Sequence, residues 1–246
     1  MFLKGLQINL KITRISKRFD YTIFIVAIIV LVLWQLPYFG WFQYPFRLLG
    51  TWFHEMGHGL TAVCIGGDFK HLEIYENGGG VAYYSLEGSY LPAFIGNALV
   101  AAGGLLGPAI TGSILIASAR SHKSSMITLR VLVGLMILSL IIWIRSFWGI
   151  AVMSTFIVLL FVITLFKNRK LEVITILFLG LQSVLSTYLQ LDYLFTKQFE
   201  RDGTIQISDT QAIAENLIGT YWMWAICIVL ISMYLLWKSF QYYIKK

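Results

Sequence analysis

Apolar stretches close to the length of one bilayer crossing recur along this chain, at residues 21–36, 90–117, 126–144, 147–166, 171–191 and 218–237. A helix needs about 20 apolar residues to cross the hydrocarbon of a membrane. Inside it every backbone N–H and C=O must find a partner within the chain, and a helix meets that demand by itself. A soluble enzyme of this length would gather its apolar residues into one core. Here they are spread over several bilayer-length segments. The 58% hydrophobic and 13% charged residues and the mean hydropathy of +0.74 agree, being far from the values of soluble domains. The expected fold is an all-α polytopic membrane protein with about six transmembrane helices, forming one domain over residues 1–246. The lipid bilayer is its first expected partner.

The first apolar run follows a basic tail over residues 1–20, which holds Lys4, Lys11, Arg14, Lys17 and Arg18. No small-residue cleavage site comes after it, only Pro37-Tyr38-Phe39-Gly40-Trp41, so the run reads as an uncleaved span rather than a signal peptide. The net charge of +7 is scattered at the ends of apolar segments, as orientation signals are, and no nucleic-acid partner is expected. Counting Arg120, Lys123, Arg130, Lys167, Arg169, Lys170, Lys238, Lys245 and Lys246 with the tail puts fourteen of the nineteen Lys and Arg on one side. Arg47, Lys70, Arg145, Lys197 and Arg201 remain on the other. That division makes both termini cytoplasmic, and it requires residues 47–66 to enter and leave on the same side. Trp34, Trp41, Trp143, Trp148, Trp222 and Trp237 fall near run ends, where indoles favour the interface, although packing is the commoner role of any single one. Cys64 and Cys227 lie far apart in apolar sequence and give no disulfide framework.

Within residues 47–66 stands Phe53-His54-Glu55-Met56-Gly57-His58-Gly59. Positions four apart share one face of a helix, so His54 and His58 can hold one metal ion between them. Glu55, next to the first of them, can accept a proton from an attacking water, which is the zinc-peptidase pattern H-E-x-x-H. Ionisable groups beside membrane-spanning sequence are costly and tend to be functional, and three fall here within five residues. Gly57 and Gly59 give the helix a smooth side for close packing.

Two stretches read as extramembranous. Residues 68–87 alternate apolar and polar side chains around Asn77-Gly78-Gly79-Gly80, a β-hairpin signature. Such a hairpin either offers an edge to an extended peptide or merely caps a cavity. Residues 192–216 are polar and mixed in charge, and Ser208-Asp209 ahead of Ala212 and Ile213 marks a helix start. His71 and His122 are expected to be solvated surface residues. Arg145 has three open roles: snorkelling to the interface, lining a cavity, or pairing with a carboxylate such as Asp192.

The chain resembles the M50 metallopeptidases of the site-2-protease clan, most closely their compact bacterial M50B-like branch. The resemblance runs over about residues 45–220. It is carried by Phe-His-Glu-Met-Gly-His-Gly-Leu-Thr-Ala (53–62), Gly66-Gly67, a hairpin ending Gly-Gly-Gly-Val (78–81), Ala-Gly-Gly-Leu-Leu-Gly-Pro-Ala (102–109), Arg-Ser-Phe-Trp-Gly (145–149) and Ser-Asp-Thr-Gln-Ala-Ile-Ala (208–214). It implies a Zn2+ enzyme of the bacterial cytoplasmic membrane that cuts a membrane-tethered protein or peptide, with His54 and His58 as ligands and Glu55 as general base. It also implies that Gly107 and Pro108 line the active site. The Asn that follows this Gly-Pro in site-2 proteases is absent, Thr111 and Gly112 standing there, and there is no Leu-Asp-Gly to supply a third ligand.

A catalytic zinc takes three protein ligands and keeps a fourth position for water. The third is expected from another segment. Asp209, in the family-like Ser-Asp pair, is the first candidate, with helix N-capping as its competing role. Asp192 is the alternative, and Asp68 belongs more naturally to the hairpin. A non-proteolytic adaptor that keeps the zinc-binding helix is the competing function, and the missing Asn and Leu-Asp-Gly favour it. A transporter is disfavoured, since no half of the chain repeats the other.

Overall fold

The computed structural model describes residues 21–36, 40–189, 191–201 and 204–245. The basic tail, Lys246 and the Pro37-Tyr38-Phe39 link lie outside the described residues. In chain order the elements are α1 (Thr22–Gln35), α2 (Gly40–Cys64), β1 (Asp68–Ile74), β2 (Gly80–Ser85), α3 (Ala93–Ser118), α4 (His122–Ile142), α5 (Phe147–Leu165), α6 (Arg169–Leu189), α7 (Leu191–Leu194), β3 (Gln198–Arg201), β4 (Thr204–Ile207), α8 (Asp209–Asn216) and α9 (Tyr221–Ile244). The fold is all-α and polytopic, with two small hairpins added.

Among the described residues five helices, α3, α4, α5, α6 and α9, are long and apolar enough to cross a membrane. Two of them begin earlier than hydropathy alone suggests, because polar side chains cap them. Ser121 accepts from the Ser124 N–H at 3.1 Å and starts α4, while Asn168 accepts from the Lys170 and Leu171 N–H groups and starts α6. The expected first span differs. Over its described 14 residues α1 rises about 21 Å, short of the ~30 Å hydrocarbon. It reaches span length only together with α2, to which it is bent by 110°, as a broken span or a re-entrant loop. The metal-motif helix is also longer than the expected 47–66. It takes in Pro45 as its sixth residue, close to the start, where proline interrupts few helical hydrogen bonds.

α3 is the hub and contacts α2, α6, α8 and α9. It meets α2 backbone to backbone. A Cβ on Gly57 would overlap the Gly103 carbonyl, one on Gly107 would fall 2.5 Å from the Phe53 carbonyl, and one on Gly103 would overlap Thr61. Gly59 serves the other side of α2, where a Cβ would collide with the Phe69 ring of β1. A small apolar cluster of Ala98, Ala101, Leu105, Leu194, Ile213, Ala225 and Ile228 clamps α7 and α8 between α3 and α9.

Hydrogen bonds sort the connections into two ends. At one, β1 pairs with β2 on one side and bridges to Ile144 on the other, the Leu72 N–H donating to Trp143 O at 2.9 Å and the Arg145 N–H to Leu72 O at 3.0 Å. This ties the hairpin to the α4–α5 turn. The Arg145 guanidinium bonds the carbonyls of Ile141, Ile142 and Ile144, so it caps the C-terminus of α4 rather than pairing with Asp192. Trp143 stacks on Phe69 and donates to its carbonyl at 3.1 Å, a packing role. At the other end Arg120 donates to Lys245 O at 3.1 Å. There His122 is not a free surface residue: its Nδ1 lies 3.1 Å from the carboxylate of Glu172, which is only 2% exposed. Cys64 and Cys227 are both free thiols.

Candidate metal centre

Three segments build the centre. α2 carries His54 and His58 one turn apart on a single face. The Nδ1 of His58 lies 2.9 Å from the carbonyl of Val100 on α3. A carbonyl only accepts, so Nδ1 holds a hydrogen and donates it, which turns Nε2 toward His54 and Asp209, the orientation ligating histidines adopt. Gly104 makes room for this ring, since a Cβ there would overlap it. The third segment is the start of α8. Ser208 caps it, accepting from the Gln211 N–H at 3.2 Å, and Thr210 donates to Leu194 O at 2.9 Å. The capping role that competed for Asp209 is therefore filled by its neighbour, and Asp209 turns toward the histidines.

The Asp209 Oδ2 lies 3.1 Å from His54 Nε2 and 3.4 Å from His58 Nε2, and the two Nε2 atoms are 3.0 Å apart. Among the described residues, His54, His58 and Asp209 form a group whose ligand atoms all lie within 4.8 Å of one another. Groups this close share either protons or a bound cation. Two imidazole nitrogens and one carboxylate oxygen are also the donor set of many catalytic zinc sites. Burial alone would push the Asp209 carboxyl up. The His58 and His54 imidazoles outweigh it and hold the group far below the usual carboxylate range.

Two cavities share His54 and Glu55 as lining residues. The smaller, about 200 Å³, is bordered by His54, Glu55, His58 and Asp209 together with Val81, Ala82 and Tyr84 of β2 and Gln206 and Ile207 of β4. The larger, about 450 Å³, runs past His54 and Glu55 to Arg47, the Asn77–Gly80 turn, Asp192 and Thr196. Glu55 borders both and is only 4% exposed. Its carboxylate lies against Gly80, where a Cβ would come within 2.7 Å of Oε1. The hairpin turn is held over α2 by Thr51, which donates to Gly78 O at 2.6 Å, and by Tyr44, which donates to Glu76 O at 2.8 Å. Gly78 sits at φ +91°, a conformation that favours glycine.

The other candidates lie elsewhere. Asp192 borders the larger cavity but is outside the His/His/Asp group. Asp68 pairs with Lys70, and His71 stacks on Tyr83 with ring centroids 4.2 Å apart. Gly107 and Pro108 border neither cavity. Gly107 supports the α2–α3 contact, and the Pro108 carbonyl accepts from Ser183 at 2.7 Å.

Three features escaped the sequence reading. Gly104 stood in the Ala-Gly-Gly-Leu-Leu-Gly-Pro-Ala stretch with nothing to tie it to His58. The β3–β4 hairpin had a signal, Asp202-Gly203 between alternating residues. Tyr193 had none: its hydroxyl donates to Asp209 Oδ2 at 3.0 Å, and it borders both cavities. Burial, and then the charge of Asp209, push the Tyr193 phenol well above its ordinary value, so the hydroxyl keeps its proton to donate.

The fold and the site thus define a polytopic membrane protein with a buried His/His/Asp cluster and a carboxylate, Glu55, beside it. A family model described as Peptidase M50B-like matches residues 22–239, and the chain belongs to that family. Membership places it among proteins of membrane metallopeptidase type. No curated protein and no solved structure matches the chain.

Proposed function

We propose that the chain is an integral-membrane zinc metallopeptidase that hydrolyses a peptide bond in or beside the membrane, in a membrane-tethered protein or peptide. The observation that carries this reading is the convergence of His54, His58 and Asp209 at hydrogen-bond distances, with Glu55 on the same cavity. In this reading the three converging side chains hold zinc, with Asp209 rather than Asp192 as third ligand. Zinc so held would polarise the scissile carbonyl and make attacking water acidic enough to lose a proton near neutral pH. Glu55 accepts that proton and returns it to the leaving amine. Its burial against Gly80 keeps the carboxylate at the cavity wall, where a peptide carbonyl would arrive.

A substrate helix hides its carbonyls in hydrogen bonds, so a peptide must be extended before attack. β2 is the edge of its two-stranded sheet, because β1 already bridges to Ile144. Its residues border the catalytic cavity, so strand addition along β2 would present an extended peptide to Glu55. With the basic end of the bundle cytoplasmic, both termini lie in the cytoplasm of a bacterial cell and the cleft opens near the opposite face.

Zinc per mole of detergent-purified protein tests the reading, with Glu55→Gln and His54→Ala/His58→Ala as variants. The expected result is near-stoichiometric zinc in wild type and in Glu55→Gln, and zinc lost from the double variant. Hydrolysis should fall by at least 10²- to 10⁴-fold in Glu55→Gln. Folded wild-type protein that takes up no added zinc would sink the peptidase reading. Zinc binding with a biological output unchanged by Glu55→Gln would favour the adaptor.

A further inference from the structure

We infer that Tyr193 is a positioning residue for the metal centre, holding Asp209 in the orientation that faces His54 and His58. The inference rests on the zinc reading above and deepens it. The Tyr193 hydroxyl donates to Asp209 Oδ2 at 3.0 Å, the same oxygen that lies 3.1 and 3.4 Å from the two imidazoles. It also accepts from the Asp209 backbone N–H at 3.3 Å. One hydroxyl therefore grips both the backbone and the carboxylate of one residue, which leaves the side chain little rotational freedom.

The grip works because Tyr193 is itself fixed. Its ring packs against Phe199 with centroids 5.5 Å apart, and the next residue, Leu194, is buried and receives the Thr210 hydrogen bond. At the first position of α8, an aspartate without such a partner has other choices, toward water or toward the free N–H groups of the helix start. Ser208 has already taken the capping role. What remains for Asp209 is set by Tyr193 on one side and the histidines on the other. Partners that orient metal ligands in this way typically contribute 10- to 100-fold in metal affinity.

The test is Tyr193→Phe in the full-length detergent-purified protein, read by competition of a chelator for Zn2+ and by the visible spectrum of the Co2+-substituted protein. The expected result is zinc bound about 10- to 100-fold more weakly, an altered Co2+ spectrum, and hydrolysis restored toward wild type by excess zinc. In an Asp209→Asn background, Tyr193→Phe should cause no further loss, which separates ligand orientation from general packing. Unchanged zinc affinity and Co2+ spectrum in Tyr193→Phe overturn the inference while leaving the zinc reading intact. Wild-type protein that binds no zinc overturns both.

Discussion

His58 shows how much of the candidate metal site is made by residues outside its proposed ligand set. Its Nδ1 is committed to the Val100 carbonyl, and its ring fills the space that the absent Cβ of Gly104 leaves open. Gly104→Ala should therefore displace the imidazole and lower zinc affinity at least tenfold, with helix content by circular dichroism unchanged. A variant that binds zinc like wild type would remove Gly104 from the site. Ser208 and Asp209 make a sharper pair. Ser208→Ala removes the cap of α8, which should cost about 0.5–2 kcal/mol of stability while zinc still binds. Asp209→Asn keeps the cap and should lose tight zinc binding. Thermal unfolding measured beside zinc titration distinguishes the two, and equal zinc loss in both would mean that the cap, not the carboxylate, is what matters.

At the scale of elements, the site depends on α8 being docked, for an eight-residue helix has little stability alone. Its anchor is Ile213, which is 1% exposed among Ala98, Ala101 and Leu194. Ile213→Ala should destabilise this docking by about 2–5 kcal/mol and raise the zinc dissociation rate, with hydrogen exchange rising in α8 before it rises in α3. Uniform exchange across the bundle would contradict a separately docked α8. The same scale explains why hydropathy located the five spans well but missed the polar first turns of α4 and α6. Ser121 and Asn168 start α4 and α6 by capping N–H groups, and a capping side chain lowers hydropathy at the very position where the helix begins.

Over the whole molecule, the hairpin, the α4–α5 turn and the α7–α8 segment gather at one end, with Arg120, His122, Glu172 and Lys245 at the other. If the basic end is cytoplasmic, single cysteines at Glu87 and Lys197 should react with a membrane-impermeant thiol reagent applied from outside. Cysteines at Lys123 and Lys170 should react only after permeabilisation, all in a background lacking Cys64 and Cys227. The reverse pattern would invert the molecule and move the cleft to the cytoplasmic face.

The sequence by itself determined the class of fold and the paired histidines. Apolar length and helical spacing are local properties that any reader of the chain can measure. It also pointed to residues 68–87 as a hairpin, because glycine-rich turns and alternation are local too. It left Asp209 and Asp192 as rivals, and the family resemblance implied that Gly107 and Pro108 line the active site. Where these four residues lie was decided only by tertiary structure. Asp209 reaches the histidines because α8 is clamped against α3, whereas Asp192 borders the neighbouring cavity outside the cluster. Gly107 faces the α2 backbone, and Gly104, a turn away, makes room for the His58 imidazole. Which of two similar residues meets a site depends on how helices distant in sequence are rotated against each other, and that rotation is set by packing over the entire bundle.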